Sequence, residues 1–314
     1  MIAAVGLLAA AGVLGFLAPR WLDRLADPRR DPRVVLGAWL ASQAMFVGVI
    51  AAVPIVLWVR PGERWHILPS ATLVCAQSLR ESGTVPWFFV LEAAICAAAL
   101  AAIVRIVVVV SRRLLRYRRI TDEHAWTLRL VGRRDPAEAD DVYHLHGHRF
   151  AAYSIGGREP AIALGAGLAS LAPGARDAVL AHERAHLRGR HHALVAWADA
   201  LAAALSIVPL ARVGAIWIRI LVELSADRHA AAMCGPGAVC DALGSCSGAG
   251  RSGSMPTGSH LEDRAAWLAA ARVPHRGMRC VHYPLALTVS ALPVLVSVSS
   301  VMAAFVAYCA VRSG

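Results

Sequence analysis

The sequence predicts a mainly α-helical membrane protein: four transmembrane helices, with a cytoplasmic α+β domain inserted between the third and the fourth. Three observations carry this. Of the 314 residues 57% are hydrophobic and the mean hydropathy is +0.54, well above that of an ordinary water-soluble domain. There are four long apolar stretches, and arginine-dense segments follow the first and the third. Between the third and fourth stretches lie short alternating strand-like runs and helix-forming runs that carry histidines and carboxylates.

The first apolar stretch is Met1–Pro19, and Arg20–Arg33 after it holds five arginines against three aspartates. A signal peptide would have a basic leading end, which is missing, so a first span is expected over about 1–19. Val34–Trp58 exceeds the roughly 20 apolar residues that a bilayer requires. Residues 59–85 are a mixed polar loop, with Trp65 and Trp87 near its ends. Pro86–Ser111 is the third span, and Arg112-Arg-Leu-Leu-Arg-Tyr-Arg-Arg119 follows at once. Arginine-dense flanks stay inside, which puts the amino terminus and the 59–85 loop outside and residues 112–282 in the cytoplasm. Residues 283–314 then form a fourth span, Tyr283–Val311, and a short external tail. Arg105 lies near the inner end of its span, close enough to snorkel.

The net charge is +11 and comes from 32 arginines with no lysine. Much of that arginine borders apolar segments, so it reads as membrane-flanking charge with no direct nucleic-acid contact. The seven cysteines are scattered and form no disulfide framework.

In the inserted domain, Trp126–Val131 alternates as a strand, and Asp141–Ser154 reads as a hairpin turning near Gly147. His144, His146 and His148 share one face of it, as exposed polar residues or a second metal site. Ala161–Leu164 continues as a short strand, and Ala172-Pro-Gly breaks the chain before a helix. Residues 193–220 are apolar but interrupted by Asp199, Pro209, Arg212 and Arg219, which predicts a helical hairpin bent near Pro209. Gly235–Gly258 is rich in glycine and serine and reads as a mobile loop, and His260–Ala271 as a short amphipathic helix.

The chemistry concentrates in His182-Glu183-Arg-Ala-His186, a His-Glu-x-x-His motif on a strongly helical run. Positions i and i+4 share a helix face, so both imidazoles point at one ion, with Glu183 beside them as base. A catalytic zinc takes three protein ligands and keeps one position open. Two residues compete for the third place. His192 completes a literal His-Glu-x-x-His-x-x-Gly-x-x-His, with Ser254-Met255-Pro256 as a superficial methionine turn. Glu223 opens Glu223-Leu-Ser-Ala-Asp227, where Asp227, one turn on, would hydrogen-bond a zinc-bound imidazole and fix its tautomer. The run after Gly189 reads as the same helix continuing, which would turn His192 about 600° from His186 and favours Glu223. Tyr153, His229 and Arg264 are candidates for stabilising the transition state. A non-catalytic sensor or scaffold with a structural zinc is the rival reading. Such sites are closed and often cysteine-rich, and no cysteine lies near the motif. A transporter would carry paired ionisable groups at mid-membrane, which these spans nearly lack.

Ala151-Ala-Tyr-Ser-Ile-Gly-Gly157, together with Val179–His191 and Glu223-Leu-Ser-Ala-Asp227, resembles the membrane zinc metallopeptidases typified by the BlaR and MecR beta-lactam signal transducers. The HtpX and CAAX-prenyl-protease peptidases are more distant in likeness. The resemblance implies a Zn²⁺ cofactor held by His182, His186 and Glu223, with Glu183 as catalytic base. It implies a protein substrate at the cytoplasmic face, such as a BlaI-like repressor. The chain stops just after the expected fourth span, so no external penicillin-binding sensor domain is expected.

Overall fold

Apolar runs without turn residues become helices here, because a helix satisfies its backbone donors and acceptors within its own segment. The computed structural model describes residues 2–25, 31–58, 87–136, 138, 141–146, 152–248, 264 and 268. Helix α1 (Ile2–Gly12) runs through a π-helical stretch, Val13–Leu17, into α2 (Ala18–Leu25). The expected first span is therefore not one regular α-helix. Pro19 lacks a backbone N–H and crowds the carbonyl four residues back, and the widened turn just before it accommodates that defect. Helix α3 covers Pro32–Trp58 and α4 covers Trp87–Val131. Two helical stretches, Pro32–Leu57 and Val90–Val131, are long and apolar enough to cross a membrane. The expected fourth span lies outside the described residues.

The strand expected over Trp126–Val131 is instead the last turn and a half of α4. Its apolar residues at 125 and 128 sit three apart, and Ala125 and Leu128 are the ones buried, against the sheet. The Thr127 hydroxyl donates to the Glu123 carbonyl four residues back, as in a helix. The sheet comprises β1 (Arg133–Arg134), β2 (Val142–Leu145), β3 (Ala152–Ile155) and β4 (Ala161–Gly165). Its order is β1-β2-β4-β3, with β4 parallel to β2 and antiparallel to β3. The expected β2–β3 hairpin does not form, because β4 lies between them. Every residue of β4 is buried, and a strand apolar on both faces belongs in the sheet's interior. That leaves β3 as an edge. His144 pairs with Asp135 at 2.9 Å, while His148 lies outside the described residues.

The end of α4 covers one face of the sheet. The other face packs Val142, Ile162 and Leu164 on Leu180 of α5 (Pro173–Arg188). Next, α6 (His191–Ala204) and α7 (Pro209–Cys234) form the hairpin expected around Pro209, the proline standing in the first turn of α7. This hairpin packs Ile218 and Leu221 against Leu14 and Trp39 of the amino-terminal helices. Gly214 lets α7 approach α3 closely, since a Cβ there would collide with the Gln43 side-chain amide. The Nε of Arg105 donates to the Ala204 carbonyl at 2.8 Å, satisfying an acceptor that the end of α6 leaves open. Within the expected mobile loop, Pro236–Gly248 is helix α8. Val239 and Ala242, three apart, are buried, and Val239 packs on Ala178 and Ala230. Glycine and serine content concealed that short apolar stripe. Arg264 and Leu268, in the expected amphipathic helix, are both helical, and Leu268 joins the same cluster.

Candidate metal centre

Helix α5 carries His182 and His186 on one face, and α7, packed against it, brings Glu223 to them. The two Nε2 atoms stand 3.0 Å apart. Glu223 reaches His182 Nε2 with Oε2 at 3.5 Å and His186 Nε2 with Oε1 at 3.5 Å. A tetrahedral zinc with bonds of about 2.0–2.1 Å spaces its ligand atoms by roughly 3.3 Å. The three side chains fit such an ion, and Glu223 Oε2 is a buried oxygen with no hydrogen-bond partner.

Each imidazole is oriented from behind. Asp227, one turn after Glu223, accepts from His182 Nδ1 at 2.9 Å. His186 Nδ1 meets His191 Nδ1 at 3.2 Å. Asp227 is in turn gripped by Arg264, whose Nε and Nη2 each donate to it at 2.6 Å. Such forked, charge-assisted pairs fix geometry as well as charge. Asp227→Asn is expected to weaken zinc binding by about 10–100-fold without removing a ligand. A chelator competition titration measures this, and unchanged affinity would show that the imidazole does not depend on the carboxylate.

The charges follow the contacts. Burial pushes the His182 imidazole down, but its bonds to Asp227 and Glu223 outweigh that and hold it at about 10. Burial raises the Glu223 carboxyl, and the two imidazoles and Arg264 overturn it, to about 2. Asp227 is held at about 2 in the same way, burial being overcome by Arg264 and His182. Burial drives His186 down to about 3 and His191 to about 4, so both are neutral at pH 7. With no ion bound, His182 is therefore protonated; binding zinc releases that proton and leaves two neutral imidazoles beside an ionised carboxylate, the donor set that zinc takes.

Glu183 stands next to His182 on α5. Burial raises its carboxyl above the ordinary range, against the pull of His182 and of Ser154 on β3. A carboxylate raised by burial is a better proton acceptor near neutral pH.

The helix does not continue past Gly189 as expected. It ends at Arg188, Arg190 adopts the left-handed conformation (φ 49°), and α6 begins at His191. Gly189 is required there, because a Cβ would strike the His191 ring that folds back over it. The break buries His191. It also brings the His192 ring to 5.7 Å from His186, but its Nε2 is engaged with the Ser154 hydroxyl at 3.0 Å. Of the other expected residues, Arg264 is occupied by Asp227, and its Nη1 lies 3.7 Å from Glu223. His229 sits on an exposed flank beside Arg188. Tyr153 is exposed on β3, alternating with buried Ser154, and is not among the convergent residues. Ser154 and His191 carried no signal in the sequence, since both depend on how distant turns fold.

A histidine pair on α5 and a carboxylate from α7 define a site able to hold a metal, beside an edge strand of the sheet. Residues 111–247 match the model of Peptidase family M48, the metallopeptidase family that includes BlaR-like and HtpX-like proteins. Comparison with curated proteins and with solved structures returned no match.

Proposed function

We propose that the chain is a membrane-embedded, zinc-dependent endopeptidase acting on the cytoplasmic side. In this reading, spans near 1–19, 34–58 and 86–111 and a fourth in 283–314 hold a catalytic domain over 112–282. One observation carries the chemistry: His182, His186 and Glu223 converge with an unpartnered Glu223 oxygen, next to Glu183. A zinc ion there supplies Lewis acidity, bringing the pKa of a water toward roughly 7 and polarising a carbonyl. Glu183 takes the proton of the attacking water and delivers it to the leaving amine. An extended substrate segment pairs with β3, an edge strand among the described residues, which selects loosened or unfolded stretches. Among protein substrates, a BlaI-like repressor is the one to which the resemblance to signal transducers points, with a misfolded membrane protein as the second.

The full chain in detergent, given a loosely folded protein such as casein, is expected to cleave it. A zinc chelator should stop cleavage and added Zn²⁺ should restore it. Cleavage indifferent to the chelator would overturn the reading.

A further inference from the structure

Behind the metal centre lies a cleft of about 450 Å³, lined among others by Arg33, Leu36 and Leu40 of α3, Arg188 of α5, Leu194 of α6 and His229 of α7. It is separate from the face that carries Glu183. Ala185, which also lines the cleft, is about 200° round the helix from Glu183. The cleft has two chemically different ends. At the first, Arg33 Nε donates to the Ser225 hydroxyl at 3.2 Å and Arg188 Nη1 to His229 Nε2 at 3.3 Å. The Asp31 carboxylate accepts the backbone N–H of Arg33. Among the described residues, neither guanidinium has a carboxylate at ion-pairing distance, and both arginines line the cleft. At the other end the wall is Leu36, Leu40 and Leu194, and the two α3 leucines lie inside the stretch apolar enough to cross a membrane.

We propose that this cleft binds an anionic phospholipid of the inner leaflet, its phosphate between Arg33 and Arg188 and an acyl chain along Leu36, Leu40 and Leu194. Charge complementarity selects the headgroup, and the apolar wall continuous with α3 selects a lipid over a free anion. Arg33 stands at the start of that membrane-crossing stretch, where such headgroups lie. His191 lines the cleft and also touches His186, so occupant and metal centre share one side chain.

The inference rests on the membrane placement of α3 and is independent of peptidase chemistry. The test uses the full chain in nanodiscs of phosphatidylcholine alone or mixed with phosphatidylglycerol, with retained lipid counted by native mass spectrometry. Wild type should retain phosphatidylglycerol selectively. Each arginine contributes about fivefold, so Arg33→Gln with Arg188→Gln should lower retention by roughly 30-fold, while the two Lys substitutions keep most of it. Should the glutamine pair fail to fold, Leu40→Trp decides: it fills the acyl path with both charges intact, and wild-type retention there would overturn the proposal. So would equal retention of both lipids, or full competition by inorganic phosphate alone. Release of the chain from membranes by alkaline carbonate would overturn the membrane reading itself and this inference with it.

Discussion

Glu183→Gln is expected to leave one zinc per chain while cleavage falls by about 10²–10⁴-fold, the usual contribution of a general base. The substitution is nearly isosteric, so packing against α5 and the contact to Ser154 can persist. It removes a carboxyl that burial already makes costly to ionise, and folding should not suffer. It also removes one of the negative charges that stabilise protonated His182, a minor loss beside Asp227 and Glu223. Zinc content by elemental analysis and turnover of an unfolded protein substrate separate the two effects. Undiminished cleavage would take Glu183 out of the reaction, and a variant lacking both zinc and activity would make it a structural residue.

What was legible in the sequence was local. His182 and His186 are one turn apart on a single helix, so their common face follows from helix geometry alone. Glu223 and Asp227 share that logic on α7, and Pro209 announced where the hairpin would bend. What was not legible depended on distant partners or on backbone without a residue signature. Arginine is an unusual choice for a left-handed turn, so nothing at Arg190 announced the break that buries His191. The β2–β3 hairpin looked complete by itself, and only the fully buried character of β4 places that strand between them. Trp126–Val131 alternates well enough for a strand, yet its neighbours continue the α4 helix, and the burial of Ala125 and Leu128 decides the outcome. Arg264 is drawn in by Asp227 from a segment distant in sequence.

Two α3–α7 contacts tie the helix that carries Glu223 to the amino-terminal helices. Gly214 allows the helices to close, and Arg33 bonds Ser225, two residues from Glu223. The carboxylate is thus fixed to the end of a helix apolar enough to cross a membrane.

Glu223→Ala and His192→Ala form the sharpest pair, because the motif in sequence permits either residue as third ligand. Glu223→Ala should lower zinc affinity beyond the roughly 10–100-fold expected of a residue that only orients a ligand, and cleavage should vanish. It deletes the one buried oxygen without a hydrogen-bond partner beside the two Nε2 atoms. His192→Ala should keep its zinc, because His192 Nε2 is engaged with Ser154 on the neighbouring strand. Its loss should appear as weaker turnover, through a less firmly held β3 edge next to Glu183. Metal stoichiometry after dialysis reads both variants without relying on activity. Zinc kept by Glu223→Ala and lost by His192→Ala would assign the third ligand to the histidine, with the break at Gly189 and Arg190 serving to swing it toward His186.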